Sequence, residues 1–166
     1  MISLYYGCNF VIFASNMKIL KTLKNVVLYI WQFPQNILGL ILLLIMRFEL
    51  SIVLENGNIV YFSKNMAGGI SLGKYSIVNS YYAGLKTGNK KIKSKEELMK
   101  LDVVKHEGVG HGTQSRYLGP LYLLVIGLPS IIWACLYGSV IPYTKNGYYK
   151  WYTEAWADKL AGIIRK

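Results

Sequence analysis

Histidine and cysteine are both scarce in this sequence, which has two of each. So few cysteines exclude a framework of several disulfides, and Cys8 and Cys135 lack the close spacing of a zinc–thiolate site. We expect both to be reduced and to act as small apolar residues. The two histidines, His106 and His111, instead lie close together, the first directly before Glu107. Any chemistry that needs an imidazole is therefore confined to this one stretch.

Acidic residues are also few, with 8 Asp+Glu against 19 Lys+Arg and a formal net charge of +11. A basic balance of this kind suits nucleic acid or an anionic membrane surface. The sequence has no RNA-recognition, zinc-finger or aromatic–basic pattern, so we expect no nucleic-acid partner. Charged residues make up only 16% of the chain and hydrophobic residues 53%, whereas about 25% of an average domain is charged. This composition favours membrane lipid as a partner.

The N-terminal stretch lacks the basic residues that begin a secretory signal peptide, because residues 1–16 carry no charge. Met17 opens Met-Lys-Ile-Leu-Lys, which is a more natural start. We therefore expect residues 1–16 to be a disordered extension or a misassigned start. The remaining residues, 17–166, have a length that fits one membrane-associated domain.

Residues 105–116 read Lys-His-Glu-Gly-Val-Gly-His-Gly-Thr-Gln-Ser-Arg. A His-Glu pair followed by a second histidine on a helix is typical of zinc hydrolases, where the imidazoles bind the metal and the glutamate handles the proton of the metal-bound water. Downstream, Glu154 and Asp158 lie about one helical turn apart, which suits a carboxylate ligand and a carboxylate that orients a ligand. We expect Gln114 and its two successors to brace this helix against the Gly119-Pro120 turn rather than to bind substrate.

The two motifs together resemble those of the gluzincin metallopeptidases. In that class, a His-Glu-x-x-His helix supplies two ligands and the base, and a later helix supplies the third ligand and an aspartate that orients a histidine. The resemblance implies zinc as the cofactor, with His106, His111 and Glu154 as ligands, Glu107 as the general base and Asp158 as the histidine's partner. The string that starts at His111, His-Gly-Thr-Gln-Ser-Arg-Tyr-Leu-Gly-Pro-Leu-Tyr-Leu, also resembles a group of small uncharacterised bacterial membrane-associated proteins.

The motif departs from the usual gluzincin spacing in one respect, since three residues instead of two separate Glu107 from His111. On a regular helix, residues five positions apart point about 140° away from each other, so the rings of His106 and His111 would not meet at one ion. A one-residue π-bulge would restore the geometry, and the glycines on both sides of Val109 make it easier to form. The dipeptidyl peptidase III family is similar in having the longer spacing. A decayed, metal-free site is the alternative.

Two long runs of the chain carry no charge. Residues 26–46 are numerous enough to span a bilayer, but Pro34 and its polar neighbours divide them, so we expect two helices that meet at Pro34. The preceding lysines suit the cytoplasmic face of a membrane, with a buried core helix as the alternative. Residues 118–143 form the second run. They must turn back if Glu154 is to reach the histidines, and the Gly127-Leu128-Pro129 sequence is where we expect the turn.

Residues 50–82 are rich in β-forming residues, with a hairpin signal at Asn56-Gly57 and a strand–turn–strand pattern over residues 68–79. They predict a small antiparallel sheet. In gluzincins, a sheet edge beside the metal helix pairs with an extended substrate, although a sheet that only covers the helices is equally consistent with the sequence. The fold class is therefore α+β and mostly helical, with a zincin-like metal helix and apolar membrane-associated helices.

Lysines crowd residues 86–105, where we expect a solvated loop followed by a helix. Ser94 and Glu97 fit a capping box, so Ser94 is predicted to begin the helix that carries His106. A turn at Asn146-Gly147 is predicted to precede the last helix, residues 148–164.

These patterns predict a zinc-dependent metallopeptidase that hydrolyses a peptide or protein substrate at a membrane surface. The resemblance implies a bacterial inner membrane. Residues 47–116 hold 11 of the 19 Lys+Arg, which is unexpected for a translocated loop and predicts a site that faces the cytoplasm. Two alternatives stay open: a non-catalytic membrane scaffold derived from a peptidase, and a metal-binding protein without turnover. The sequence leaves the oligomeric state undetermined.

Overall fold

A computed structural model of the chain describes residues 2–85, 93–137, 139 and 145–165. Helices surround one small sheet in this part of the chain, which confirms the mostly helical α+β class. The helices are α1 (Ile2–Trp31), α2 (Phe33–Ile45), α3 (Lys95–Met99), α4 (Asp102–Val104), α5 (Gly112–Leu118), α6 (Leu128–Leu136), α7 (Lys145–Tyr148) and α8 (Tyr152–Ala161). The strands are β1 (Leu50–Val53), β2 (Ile59–Ser63), β3 (Gly69–Leu72) and β4 (Tyr75–Asn79). Short 3-10 turns, Ser80–Ala83 and Gly119–Leu121, and two π-helical stretches, Lys105–His111 and Leu123–Gly127, complete the described elements.

Helices α1 and α2 meet at a sharp elbow. The chain leaves the helical path at Gln32, and the two helices are bent by 84°. Pro34 lies in the first turn of α2, where a missing backbone donor costs nothing. The prediction of two helices meeting at Pro34 is confirmed, while the separate extension over residues 1–16 stays a prediction.

Membrane-spanning capacity is limited in the described part of the chain. No single helix there has both the length and the apolar content to cross a membrane. Two bent pairs pass the same test on length and composition: Met17–Trp31 with Phe33–Ile45, and Asp102–Leu121 with Leu123–Leu136.

The sheet has the strand order β1-β2-β4-β3 and is mixed. The predicted hairpin is confirmed: β1 and β2 are antiparallel, with Gly57 at φ 83° in the turn. β3 and β4 form the second antiparallel pair, as the strand–turn–strand pattern predicted. The prediction of an all-antiparallel sheet was wrong, however, because β2 and β4 run parallel. The second hairpin docks through β4, whose middle residues are all buried, and this leaves β3 at the edge of the sheet.

One face of the sheet packs against a helix that contains the histidine motif. Helix α4, the π-helical stretch Lys105–His111 (the π segment below) and α5 follow one another without a break, and we call them together the central helix. The shared core between sheet and central helix contains these buried apolar residues: Ile52, Leu54, Val60, Phe62, Val78, Ala83, Leu98 and Val104.

The capping box at Ser94 and Glu97 is confirmed, but it starts a different helix from the predicted one. It caps the short helix α3, and Leu101 is extended, with ψ 132°, so the helix that carries His106 begins at Asp102. This break lets the side chains of α3 and α4 enter the same core. Part of the predicted lysine-rich loop, residues 86–92, lies outside the described residues.

The second apolar run turns back, but not where the sequence indicated. The bend of 119° lies at Tyr122, between Asp102–Leu121 and Leu123–Leu136. Gly119, at φ 52°, ends α5 just before it. Gly127 is helical instead, and Pro129 lies in the first turn of α6, a position that proline tolerates.

The C-terminal helix also differs from its prediction. The predicted turn at Asn146-Gly147 lies within α7. Trp151 is extended, with ψ 142°, so the last helix begins at Tyr152 instead of at residue 148. This helix, α8, lies directly against the π segment and brings its carboxylates to the histidines.

Candidate metal centre

The π segment places both histidines on one side of the central helix. Its backbone adopts the wider π geometry over Lys105–His111, which confirms the predicted bulge. As a result, His106 and His111, five positions apart, have ring centroids separated by only 4.8 Å. A regular α-helix would direct them about 140° apart.

Two glycines in the π segment allow its neighbours to come close. A Cβ at Gly108 would lie 2.3 Å from Leu54 Cδ1, and a Cβ at Gly110 would lie 2.4 Å from the carbonyl oxygen of Ala157. The sheet and α8 therefore press against opposite parts of the same distorted helix. This close approach brings Glu154 of α8 within reach of the histidines.

Three buried side chains converge on one point. Glu154 Oε2 lies 3.0 Å from His106 Nε2 and 3.6 Å from His111 Nε2. One ligand atom from each of these residues falls within 4.8 Å of the others. Zinc-to-ligand bonds of about 2.0–2.2 Å in a tetrahedron imply ligand atoms about 3.3 Å apart, and both measured separations are close to this value. The cluster can hold a metal ion.

The outer nitrogen of each imidazole is already hydrogen-bonded to protein. His106 Nδ1 donates to Asp158 Oδ1 at 2.7 Å, and His111 Nδ1 donates to Gln114 Oε1 at 2.7 Å. Both rings are therefore fixed with Nε2 directed at Glu154, which is the arrangement of metal-bound histidines. The predicted residues, His106, His111, Glu154 and Asp158, all meet here.

Gln114 is a site residue that the sequence did not reveal as a histidine partner. It is fully buried, and its Nε2 donates to the carbonyl oxygen of Thr153 at 2.8 Å, which fixes the orientation of its amide. The position three residues after His111 on a helix was the available signal, because such residues are neighbours on a helix surface.

The two residues after Gln114 brace the central helix, but against other elements than the predicted Gly119-Pro120 turn. Ser115 Oγ accepts hydrogen bonds from Gln32 Nε2 at 2.7 Å and from Gln35 Nε2 at 3.1 Å, both at the α1–α2 elbow. The Arg116 guanidinium donates to the loop between β1 and β2, at the Asn56 carbonyl oxygen.

The C-terminal Arg165 holds the partner of His106 in place. Its Nη2 donates to Asp158 Oδ1 at 2.9 Å, and its guanidinium carbon lies 3.2 Å from the centre of the Tyr149 ring. The ring of Tyr149 in turn contacts the ring of His106 edge-on, at 5.3 Å between centroids. Asp158 is therefore held by a cation on one side and an imidazole on the other.

The charges of the cluster are strongly coupled. Burial lowers the pKa of His106, but hydrogen bonds with Asp158 and Glu154 outweigh it and raise this pKa to about 9. Burial raises the pKa of Glu154, whereas hydrogen bonds from His106 and His111 hold it far below its usual range. Without metal, a protonated imidazole and an ionised carboxylate thus stabilise each other in the cluster.

Metal affinity is expected to increase with pH. The pKa of His106 is about 9 without metal, so its ring is protonated at neutral pH and a metal ion must displace that proton. We expect the apparent affinity to rise by up to about ten-fold per pH unit from about pH 7, and to level off above about pH 9. Competition titrations with a chromophoric chelator across this range measure it. An affinity that stays constant over the range would contradict the assignment of His106 as a ligand.

Gln114→Leu is expected to weaken metal binding. The change keeps the side chain's approximate volume but removes the oxygen that accepts from His111 Nδ1. Loss of such a partner typically lowers metal affinity about 10- to 100-fold. Gln35→Leu is a matched control, because Gln35 is equally buried and hydrogen-bonds only Ser115 and Gly119, away from the cluster. Equal affinities of the two variants would show that Gln114 does not orient the ligand.

Glu107 is buried beside the cluster, between the π segment and strand β3. Its Oε2 lies 2.7 Å from Ser71 Oγ, which donates to it, and its backbone carbonyl lies 2.8 Å from the same hydroxyl. A Cβ at Gly69 would lie 2.3 Å from Glu107 Oε1, so glycine leaves room for the carboxylate at this edge of the sheet. Glu107 is thus held next to the metal-binding cluster without belonging to it.

Two cavities flank the cluster along the outer edge of β3. The first, of about 110 Å³, is lined by β3, Glu107, His111 and Glu154 on one side and by Ser130 of α6 on the other. The second, of about 310 Å³, lies on the His106 side. Both cavities are lined by Glu107 and Glu154, so they lie on two sides of the same residues.

One hydroxyl near the first cavity forms a hydrogen bond that stabilises the fold. Tyr122, at the bend, donates to the Ser71 carbonyl oxygen at 2.9 Å. Burial raises the pKa of Tyr122 well above its ordinary value, so this hydroxyl keeps its proton and its hydrogen bond. Tyr122 therefore fixes β3 relative to the second half of the apolar run.

No protein-family model, no curated protein and no solved structure matches the chain. The resemblance to gluzincins therefore stays a prediction, and the geometry of the site is the basis for assigning a function.

Proposed function

We propose that the chain is a zinc-dependent metallopeptidase that acts at a membrane surface. The observation that supports this most directly is the convergence of His106 Nε2, His111 Nε2 and Glu154 Oε2 on one buried point, with both outer imidazole nitrogens hydrogen-bonded. Two histidines and one glutamate match the ligands of catalytic zinc sites that leave a fourth position open for water.

Zinc is preferred to other metals because of what lies beside the ligands. A two-histidine, one-carboxylate set also suits iron in oxygenases. However, Glu107 supplies a carboxylate next to the cluster, where a hydrolytic site needs a base for the attacking water. A bound zinc ion would polarise the water and the substrate carbonyl. Glu107 would take the proton of that water and return it to the leaving amine.

The edge of strand β3 is the proposed binding place for an extended peptide. An edge strand has backbone groups that can pair with another chain, although the Ser71 carbonyl oxygen already accepts from Tyr122. All four residues of β3 line the smaller cavity, and Gly69 also lines the larger one. Ser71 and Gly69 place this edge directly against Glu107. A peptide paired with this edge would have the carbonyl of its scissile bond close to the proposed zinc ion and to Glu107.

The membrane part of the proposal is supported by the reversed polarity of α2. Helices in water bury apolar residues and expose polar ones. Helix α2 instead buries Gln35 and Asn36 completely, while Phe33, Ile41 and Leu44 are exposed. Contact of the exposed face of α2 with lipid explains this pattern. The buried polar face of α2 still has protein partners such as Ser115.

A peptide-pool assay tests the proposed activity. The zinc-loaded protein, reconstituted in vesicles, is incubated with a pool of peptides of random sequence, and cleavage is followed by mass spectrometry. We expect cleavage that a chelator stops and added zinc restores. Stoichiometric zinc without cleavage would instead favour a metal-binding protein without turnover. Absence of both would favour the non-catalytic scaffold.

A further inference from the structure

The outer wall of the smaller cavity is an apolar helix. Three residues of α6, Ser130, Ile131 and Ala134, line this cavity opposite β3 and the metal-binding cluster. At about 100° per residue, these three positions cover an arc of about 100° on one side of α6. Helix α6 therefore forms one wall of the cavity.

A second side of α6 is exposed, while Trp133 on a third side stacks on Trp151. Leu128, Ile132 and Leu136 are all about half exposed, and α6 has no buried residue. With about 100° per residue, they form an apolar arc that adjoins the cavity-lining arc at Ile131. Ile131 is itself 51% exposed and also lines the cavity. The rim of the cavity thus coincides with the edge of an exposed apolar face.

The charge pattern of α1 favours an anionic lipid surface as the partner of the exposed apolar faces. On α1, the three lysines Lys18, Lys21 and Lys24 occupy one arc, and the exposed apolar residues from Ile19 to Ile30 occupy the opposite one. A basic amphipathic helix of this kind lies in the interface of an anionic bilayer. Since a second copy of the chain would carry the same positive charge of +11, anionic lipid is the better complement.

One hydroxyl of the cavity wall lacks a hydrogen-bond partner. Ser130 is among the residues that line the cavity, and its Oγ is buried with no partner among the described residues. Since a buried hydroxyl normally has a partner, Ser130 is an unsatisfied polar group in the α6 wall.

We propose that the cavity opens into the bilayer beside Ile131, and that the substrates are peptide segments attached to or embedded in the lipid. Such a segment enters sideways, past α6, and reaches the edge of β3 without first dissolving in water. This inference rests on the proposed peptidase activity, and it specifies the substrate class for that same site.

The test compares two forms of one peptide pool. Each random peptide carries either an N-terminal myristoyl chain or an acetyl group, and both forms are added to the zinc-loaded protein in phosphatidylcholine–phosphatidylglycerol vesicles. A myristoyl chain binds lipid reversibly, with an association constant of about 10⁴ M⁻¹. At about 1 mM lipid most of the myristoylated form is therefore on the vesicles, and we expect it to be cleaved about ten-fold faster. Any membrane-bound peptidase would show part of this gain, so protein variants provide the decisive comparison.

Ile131→Lys and Ile132→Lys form a matched pair. Both residues are about half exposed on α6, but only Ile131 lines the cavity. A charged side chain at the cavity rim, inside the lipid, opposes the entry of an apolar peptide segment. Ile131→Lys should therefore lower the rate of cleavage of the myristoylated form by about ten-fold. Ile132→Lys should change it by less than about two-fold. Flotation with the vesicles shows that both variants still bind the membrane.

The outcomes separate the two proposals. Equal cleavage of the two peptide forms, or equal rates for the two variants, would overturn lateral entry and leave the peptidase proposal intact. Cleavage of neither form by protein that holds zinc would overturn the peptidase proposal and this inference with it. Another outcome is that both variants lose cleavage activity equally and are monomers in detergent, where the unaltered protein is a dimer. That result would identify the apolar face as an interface between copies and would also overturn lateral entry.

Discussion

Glu107→Gln is expected to lower kcat/KM by about 10²- to 10⁴-fold, the contribution of a positioned general base. The amide keeps the shape of the side chain and can still contact Ser71 Oγ, which lies 2.7 Å from the carboxylate. It has no basic oxygen that would take the proton of the attacking water. Because Glu107 is outside the cluster of His106, His111 and Glu154, the variant should still bind one metal ion per chain.

Two further variants make this result specific. Glu96→Gln removes an exposed carboxylate from the first turn of α3, outside the cluster, and should leave kcat/KM unchanged. Ser71→Ala removes the donor to Glu107 and should have a smaller effect than Glu107→Gln, since the base itself remains. If Glu107→Gln cleaved peptides at the rate of the unaltered protein, Glu107 would have no role as the base.

Gly110→Ala is expected to destabilise the fold and to weaken the metal site together. A Cβ at this position would lie 2.4 Å from the Ala157 carbonyl oxygen and 3.0 Å from Ala157 Cα. These are backbone atoms, so α8 must move away from the π segment. Overpacking of this kind costs about 1–3 kcal/mol and sometimes more. At about 2–4 °C per kcal/mol for a chain of this size, the thermal midpoint should fall by about 2–12 °C.

The sign of this effect is informative, because glycine-to-alanine changes inside ordinary helices stabilise by about 1 kcal/mol. Gly68→Ala is the control, since a Cβ there has open space around it. Metal affinity should fall in Gly110→Ala only, because α8 carries both Glu154 and Asp158. A thermal midpoint equal to or above that of the unaltered protein would show that the close contact with α8 is absent in solution.

The histidine spacing allowed the most specific structural prediction. Two imidazoles five positions apart meet only if the helix is distorted, and the flanking glycines make that distortion easier, so the π segment followed from local geometry. The Ser94–Glu97 capping box and the Asn56-Gly57 hairpin were likewise predictable, because each depends on residues a few positions apart.

The differences arose where distant parts of the chain decide the structure. The residues of β2 and β4 do not specify parallel pairing, which depends on which strand of the second hairpin docks. The break at Leu101 depends on a core that both α3 and α4 enter. Gly119 with Pro120 and Gly127 with Pro129 carry similar turn signals, and packing of the bend against the α1–α2 elbow, through Gln35 and the Gly119 carbonyl, favours the first.

The candidate site was predictable in its residue types but not in its complete set of hydrogen bonds. Because histidine is rare in the chain, the closeness of His106 and His111 indicated a site. The helical spacing of Glu154 and Asp158 indicated that both lie on one helix face. Gln114 looked like one polar residue among several. Its role depends on the Thr153 carbonyl oxygen of α8, which fixes the amide so that it accepts from His111.

The measurement that tests the central claim most directly is the metal content of the purified protein by elemental mass spectrometry, beside His111→Ala and Glu96→Ala variants. His111→Ala removes one proposed ligand, whereas Glu96→Ala removes an exposed acidic group outside the cluster. The proposed site predicts about one zinc ion per chain in the unaltered protein and in Glu96→Ala, and a large loss in His111→Ala. Absence of metal from all three proteins after zinc has been supplied would contradict it, as would full retention of zinc by His111→Ala.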